Sequence, residues 1–152
     1  MAQEQVEEYL ETIFDVAGED GRAKTTTIAK HLHVSPASVT ESLQNLCKKG
    51  LVDYEPYDGA KLTVDGQRIV DRLKRRHRLL EVFLADELKI DPDKVHLEAC
   101  RLEHYMSDET ADALCRWLEA PTLSPHGKPI SPCEKPVKDC EGCKRGDCDG
   151  VH

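Results

Sequence analysis

Residues 25–50 read TTTIAKHLHVSPASVTESLQNLCKKG and set the architecture of the first half of the chain. The spacing of their apolar residues predicts two short helices, 25–32 and 36–49, separated by a tight turn. Ser35 suits the N-cap of the second helix, and Pro36 falls at the first helical position, where a helix accepts proline. Two short helices joined in this way are typical of a helix-turn-helix.

After Gly50 the apolar period changes from helical to alternating. Residues 51–55 and 60–64 are predicted to be strands joined by a turn at 56–59, which supplies a glycine where positive φ is needed. A helix-turn-helix followed by a hairpin is a winged helix. Upstream, residues 3–17 are predicted to form a helix with five residues on one apolar stripe. These are Val6, Leu10, Ile13, Phe14 and Ala17.

Downstream, the sequence predicts three more helices: 65–88, 91–106 and 107–120. Residues 121–132 contain four prolines and are interpreted as an extended linker. The predicted fold is therefore mainly α, with an N-terminal winged helix-turn-helix followed by a helical domain. The predicted division is a winged helix at 1–72, a helical domain at 73–120, and a Pro-rich linker with a Cys-rich tail at 121–152.

Charge is distributed unevenly along the 152 residues. The net charge of -8 argues at first against a nucleic-acid partner, but residues 21–78 carry twelve Lys and Arg against six acids. A basic middle between acidic ends favours phosphate contact by the central part. No signal peptide or membrane-length apolar run is recognised, so a cytoplasmic protein without a membrane partner is expected.

Residues 96–104 read HLEACRLEH and carry three kinds of transition-metal ligand. On an α-helix His96, Cys100, Glu103 and His104 would fall within an arc of roughly 100°. Imidazole, thiol and carboxylate together suit Fe(II), Mn(II), Co(II), Ni(II) or Zn(II) rather than Mg(II) or Ca(II). The alternative is a helix face that is merely solvated.

Two further pairs favour metal binding. His77 and Glu81 are spaced i, i+4 on the long helix, and Glu8 and Glu11 are spaced i, i+3 on the first helix. Helical scaffolds build metal sites from inward-facing side chains on separate helices.

A recognition helix at 36–49 would present its N-terminal residues to the major groove. None of them is basic, so direct reading of guanine by arginine is not expected from this helix. They are Ser35, Pro36, Ala37, Ser38, Thr40 and Glu41. Five lysines are predicted to hold the DNA backbone. They are Lys24, Lys30, Lys48, Lys49 and Lys61. The alternative is a winged helix used for protein contact.

Seven cysteines with no sign of secretion predict free thiols or metal ligands rather than disulfides. The tail spacing C-x6-C-x2-C-x4-C is compatible with Zn(II) or an iron–sulfur cluster, or with a flexible, reduced tail. These tail residues are Cys133, Cys140, Cys143 and Cys148. Cys47 and Cys115 are predicted to be core. Four histidines are interpreted as structural or solvated: His31, His33, His126 and His152.

From residue 4 to about 131, the chain resembles the diphtheria-toxin-repressor family of iron- and manganese-dependent transcriptional regulators. The most specific segment of the resemblance is 96–109. Arg76-His77-Arg78-Leu79 with Glu81, and the segment 124–130, are also characteristic. Longer members carry a third, SH3-like domain, for which this chain is expected to be too short.

The resemblance implies a homodimer that binds double-stranded palindromic operator DNA with divalent metal as corepressor and controls metal-homeostasis genes. It implies an activating site of Cys100, Glu103 and His104 with Glu8 from the first helix. Glu11 falls where manganese-type members carry a second carboxylate. The resemblance also implies an ancillary site, made of His77, Glu81 and His96. The Cys100 thiolate favours Fe(II) as cofactor, with Mn(II) as the alternative.

Two other functions are alternatives to a metal-activated repressor. A metal buffer, or a redox or iron–sulfur sensor, would act through the cysteine tail. A metalloenzyme is not expected, because the sequence shows no nucleophile–base pairing and no phosphate loop.

Overall fold

The computed structural model describes residues 1–133. The chain divides into two compact units, Met1–Asp71 and Arg72–His152, with the boundary inside the fourth helix. The helices are α1 (Gln3–Val16), α2 (Thr25–Leu32), α3 (Pro36–Lys48), α4 (Val64–Val82), α5 (Pro92–Leu102) and α6 (Asp108–Trp117), and the strands are β1 (Val52–Glu55) and β2 (Gly59–Leu62). In the described part of the chain, no helix has both the length and the hydropathy that a membrane span requires.

The predicted helix-turn-helix is confirmed in the first unit. His33 lies between α2 and α3 in the left-handed conformation, with φ of 55°, and its N–H donates to the carbonyl of Ala29. Ser35 caps α3 by accepting a hydrogen bond from the Ser38 N–H at 3.2 Å. The N-cap residue of α2 is Lys24, and no side chain forms a capping hydrogen bond there. The three apolar side chains of α3 are fully buried: Val39, Leu43 and Leu46.

The first helix packs with a slightly different face from the one predicted. Val6, Leu10 and Ile13 are buried, but Phe14 is exposed, and Tyr9 lies in the core instead. The buried arc is therefore rotated toward Tyr9, which leaves Phe14 at its far edge.

The wing is a two-stranded antiparallel sheet that pairs Val52 with Leu62 and Glu55 with Gly59. A third segment joins it at Ala23, which exchanges both backbone hydrogen bonds with Ala60. Gly59 has φ of 100°, and a Cβ there would lie 2.3 Å from the carbonyl oxygen of Ala23. Glycine is therefore needed so that this segment can approach the hairpin closely.

The long helix predicted over 65–88 is interrupted. The α4 helix ends at Val82 and continues as a π-helical turn over Phe83–Glu87. One face of α4 packs Leu79 and Val82 against α6 residues, while Leu80 lies in a second cluster that includes α5 residues.

The predicted helix over 91–106 is α-helical only to Leu102. Asp91 caps α5 by accepting from the Asp93 N–H at 3.0 Å, and Pro92 begins the helix. A 3-10 turn follows over Glu103–Tyr105. Leu102 is exposed, because the chain tightens immediately after it.

The segment predicted as an extended linker instead packs into the second unit. Ser107 caps α6, and positive φ angles at Glu119 and Ala120 end the helical conformation before the predicted end at 120. Leu123 and Pro129 then form an antiparallel bridge, and Ile130 is buried beside Leu79.

Two arginines of α4 form ion pairs with α6. Arg75 Nη1 lies 2.9 Å from Asp112 Oδ1, and both side chains are almost fully buried. Arg76 Nη2 lies 2.8 Å from Asp108 Oδ1. The charge count had suggested that these two arginines contribute to a basic surface. Instead, both form ion pairs within the second unit.

Candidate metal centre

His77 lies at the centre of a cluster of ligand-type side chains in the second unit. Its Nδ1 lies 2.5 Å from Glu103 Oε2, and its Nε2 lies 2.9 Å from Glu81 Oε1. The same Nε2 lies 3.1 Å from His96 Nδ1. Cys100 Sγ lies 3.6 Å from His96 Nε2 and 3.9 Å from His77 Nδ1. Residues from α4, α5 and the 3-10 turn thus meet at one point.

The environment of His77 strongly favours its charged form. Burial by itself lowers the pKa of His77, but hydrogen bonds with Cys100 and Glu103 and the charges of Glu103 and Glu81 outweigh burial and raise this pKa to about 10. The cluster therefore stabilises a positive charge on the His77 imidazole. Because a histidine must be neutral to bind a metal ion, metal binding at His77 would release a proton.

One buried carboxylate oxygen in the cluster forms no hydrogen bond with the described residues. Glu81 is 3% exposed, and its Oε2 makes no hydrogen bond within the described residues. His126 Nε2 lies 2.9 Å from this oxygen, at ion-pair distance. A buried carboxylate oxygen without a hydrogen bond is costly unless a cation satisfies it.

The donor set fits a divalent transition-metal ion. Ligand atoms of His77, His96 and Cys100 all lie within 4.8 Å of one another. Nitrogen, thiolate and carboxylate donors match Fe(II), Co(II), Ni(II) and Zn(II) better than Mg(II) or Ca(II). The unbonded Glu81 oxygen favours a cation at the same place.

The structure brings the predicted ligands of the second unit together but does not separate them into two sets. His77 contacts Glu103 and Cys100 of the predicted activating site as well as Glu81 and His96 of the predicted ancillary site. His104, the remaining predicted ligand, has its Nε2 3.7 Å from Glu103 Oε1.

Glu103 is oriented differently from the predicted helical arc. It begins the 3-10 turn and is 1% exposed, whereas His96 on α5 is exposed. A 3-10 turn advances by about 120° per residue rather than 100°, so residues after Leu102 no longer follow the α-helical face.

The other predicted ligands belong to α1 and to the cysteine tail. Glu8 is exposed and Glu11 half-buried on α1, in the first unit, and it is the neighbouring Glu7 that is buried there. Cys133 is buried in the second unit. Three further tail cysteines lie outside the described residues: Cys140, Cys143 and Cys148.

The sequence interpretation missed His126 as a member of the cluster, because it treated this histidine as structural or solvated. The segment Ser124-Pro125-His126-Gly127 indicated a turn, but no local pattern says which helix a turn faces.

Cys115 is buried as predicted, whereas Cys47 is exposed on α3, against the prediction.

The predicted DNA-contacting residues lie at the start of α3 and on the surface of the first unit. Ser35 and Ser38 hydroxyls bond each other at 2.9 Å, and the Thr40 hydroxyl donates to the Pro36 carbonyl at 3.0 Å. Lys24 lies 3.8 Å from Asp58 in the wing turn. Six further predicted contacts are exposed: Lys30, Ala37, Glu41, Lys48, Lys49 and Lys61.

A winged helix joined to a helical unit with a mixed nitrogen, oxygen and sulfur donor cluster defines the class of metal-dependent transcriptional regulators. Comparison with known families agrees with this class. Residues 1–60 match the N-terminal DNA binding domain of iron dependent repressors, and residues 63–132 match their metal binding and dimerisation domain. The chain therefore belongs to the iron-dependent repressor family, which includes the diphtheria toxin repressors. Its members are transcriptional repressors, not enzymes.

Two relatives and one solved structure illustrate the similarity. The chain is 37% identical over 115 residues to the HTH-type transcriptional regulator MJ0568 of Methanocaldococcus jannaschii, covering 75% of this chain and 92% of the relative. It is 37% identical over 124 residues to the diphtheria toxin repressor of Corynebacterium efficiens, covering 82% of this chain but only 54% of that repressor. A manganese-dependent transcriptional repressor in complex with manganese is similar with a TM-score of 0.73 and 35% identity, covering 86% of this chain and 60% of that one.

Proposed function

We propose that this protein is a metal-activated repressor that binds a palindromic operator as a homodimer and controls metal-homeostasis genes. The observation that carries the proposal is the cluster around His77, in which imidazole, carboxylate and thiol groups from two helices and a turn meet within hydrogen-bonding distance. A chain that carries both such a cluster and a winged helix has the two parts that metal-dependent DNA binding requires.

The activating ion is proposed to be Fe(II), held by Cys100, Glu103 and His104 with Glu8 and Glu11 as the ligands from α1. The Cys100 thiol supports Fe(II) over Mn(II), since softer donors favour later metals. A similar repressor is described as manganese-dependent, so Mn(II) is the alternative ion. His77, Glu81 and His96 are proposed as the ancillary site.

The bound ion is proposed to supply a coupling free energy between metal binding and operator binding. An effector that raises operator affinity must bind more tightly to the DNA-bound form by the same factor, because linkage is reciprocal. A homodimer with twofold symmetry presents two recognition helices, so its operator should be a palindrome.

Replacing Lys48 and Lys49 together by alanine is expected to weaken binding to every DNA sequence and to reduce the salt slope of log K by about two. Both lysines are exposed at the end of α3 and form no ion pair with any described residue. The slope is measured by fluorescence anisotropy over a range of salt concentrations. Alanine at Lys89 and Lys94, exposed in the second unit, is the control. An unchanged slope would place the DNA face elsewhere.

Anaerobic capture of genomic DNA fragments by the purified protein tests the proposed function. The capture is done in parallel with chelator, Fe(II) and Mn(II), and the retained fragments are sequenced. Discrete palindromic fragments retained only with metal would support the proposal, and the more effective ion would identify the corepressor. Equal retention with chelator and with metal would contradict it.

A further inference from the structure

We propose that Tyr57, at the tip of the wing, packs its ring against deoxyribose in the minor groove of bound DNA. The inference deepens the proposed function and rests on DNA binding by the first unit, whose sequence matches the DNA binding domain of iron dependent repressors. It assigns a contact to a residue outside the recognition helix and outside the predicted set of DNA contacts.

The ring of Tyr57 contributes nothing to the core of the first unit. Tyr57 is fully exposed, and within residues 1–133 it is the most exposed of the large apolar side chains. The other two tyrosines of this unit differ, since Tyr9 is buried and Tyr54 packs against the core. Single exposed apolar residues are common on protein surfaces, so exposure alone does not identify a contact.

The backbone conformation of Tyr57 is one that tyrosine rarely adopts. The Asp58 N–H donates to the Glu55 carbonyl at 3.1 Å, which closes a β-turn over residues 55–58. Pro56 holds the second position with its fixed negative φ, and Tyr57 holds the third with φ of 68°. This is a type II turn, whose third position requires positive φ and therefore favours glycine or asparagine. A bulky residue is strained there, and such strain is concentrated at functional sites.

Two cations fix the wing turn and pair with its acids. Lys24 Nζ donates to the carbonyls of Tyr57 and Asp58 at 3.4 and 3.2 Å, and it lies 3.8 Å from the Asp58 carboxylate. Arg22 lies 2.9 Å from Asp53 and 3.8 Å from Asp58. The tip therefore has a defined shape, and the repulsion between these carboxylates and DNA phosphates is reduced.

The length of the hairpin brings its tip to a different groove from the one that α3 would occupy. The four residues of β1, Val52–Glu55, span about 13 Å at about 3.4 Å per residue. The major groove is about 12 Å wide. With α3 in the major groove, the tip of the wing therefore reaches the adjacent minor groove, which deoxyribose lines. A tyrosine ring suits this surface because its body is apolar and its hydroxyl stays in contact with water or phosphate.

The test is DNA binding by the full chain and by Tyr57→Gly, measured by fluorescence anisotropy on a short A·T-rich duplex in the presence of Mn(II). Tyr57→Gly is expected to bind about tenfold more weakly, because it removes the apolar ring. The salt slope of log K should not change, because no charge is removed. Equal affinities of Tyr57→Gly and wild type, or a reduced salt slope in the variant, would overturn the inference.

The melting temperature distinguishes a DNA contact from a structural role. Tyr57→Gly should melt within about 4 °C of wild type or above it, because glycine relieves the strain at this turn position. A larger fall would show that the ring stabilises the fold and would count against the inference. Val64→Ala is the matched control for affinity, because Val64 is also an exposed apolar residue of the first unit but follows the hairpin at its base.

Two further measurements test the ring and the groove separately. Tyr57→Phe keeps the ring and should retain most of the affinity. If it binds as weakly as Tyr57→Gly, the hydroxyl makes the contact and the packing of the ring is wrong. Distamycin, which occupies the minor groove of A·T-rich DNA, should abolish the difference between wild type and Tyr57→Gly. A difference that persists would place the ring elsewhere on the DNA and overturn the inference.

Repeating the titrations with chelator separates this inference from the proposed function. If metal does not raise the affinity of wild type but Tyr57→Gly still binds more weakly, the proposed function fails and the inference holds. If metal raises the affinity of both proteins and their affinities are equal, only the inference fails.

Discussion

Replacing Glu103 by glutamine is expected to abolish metal-dependent operator binding while leaving the second unit folded. Glutamine preserves the volume of a side chain that is 1% exposed, and its carbonyl can still accept a hydrogen bond from His77 Nδ1. The substitution removes a negative charge from a buried cluster where an effective dielectric constant of about 20 makes each close charge worth several kcal/mol. We expect at least about a hundredfold loss of affinity for the activating ion, which corresponds to about 2.7 kcal/mol.

The measurement is operator binding by anisotropy at increasing Fe(II) or Mn(II), with circular dichroism as the check on folding. Glu98→Gln is the matched control, because Glu98 lies on α5 at the surface and pairs with Arg101 at 2.8 Å. His104→Ala is expected to behave as Glu103→Gln does. If either variant still bound the operator only with metal and with wild-type affinity, the proposed activating site would be wrong.

Replacing Asp112 by alanine is expected to give the largest loss of stability, about 3–5 kcal/mol in the free energy of unfolding. Asp112 and Arg75 pair at 2.9 Å with 8% and 10% of their side chains exposed, so the substitution leaves a buried guanidinium without its counterion. Arg75 already has a buried Nη2 without a hydrogen bond in the described region, and its Nε donates to the Ser131 carbonyl at 3.1 Å. Little is therefore available to compensate for the lost carboxylate.

Urea unfolding followed by circular dichroism measures this effect. Asp108→Ala is the matched control, because Asp108 pairs with Arg76 on the same two helices but its side chain is 55% exposed. Its loss should cost about 1 kcal/mol or less. Replacing Arg75 by Met and Asp112 by Leu together should recover much of the stability, because it removes both buried charges. Equal losses from Asp112→Ala and Asp108→Ala would contradict the burial argument.

The helix-turn-helix was predictable because its signals are local. Ser35 and Pro36 specify where α3 begins through backbone sterics and one short hydrogen bond, and both are at the predicted positions. The wing was predictable for the same reason, since the change of apolar period and Gly59 act within a few residues. The predicted ligand face was less accurate, because the change to a 3-10 turn at Glu103 depends on how that turn packs and not on the spacing of the donors.

The sequence alone established the order of the elements and the winged helix, and it predicted a set of ligand-type side chains, because caps, periodicity and i, i+4 spacing depend on neighbours within one or two turns. Three features required the folded chain: the burial of Arg75 against Asp112, the inward orientation of Glu103, and the position of His126 beside Glu81. These contacts join residues that are far apart in the chain. They exist because burying Leu79 and Ile130 in one core brings α4, α6 and the last turn together.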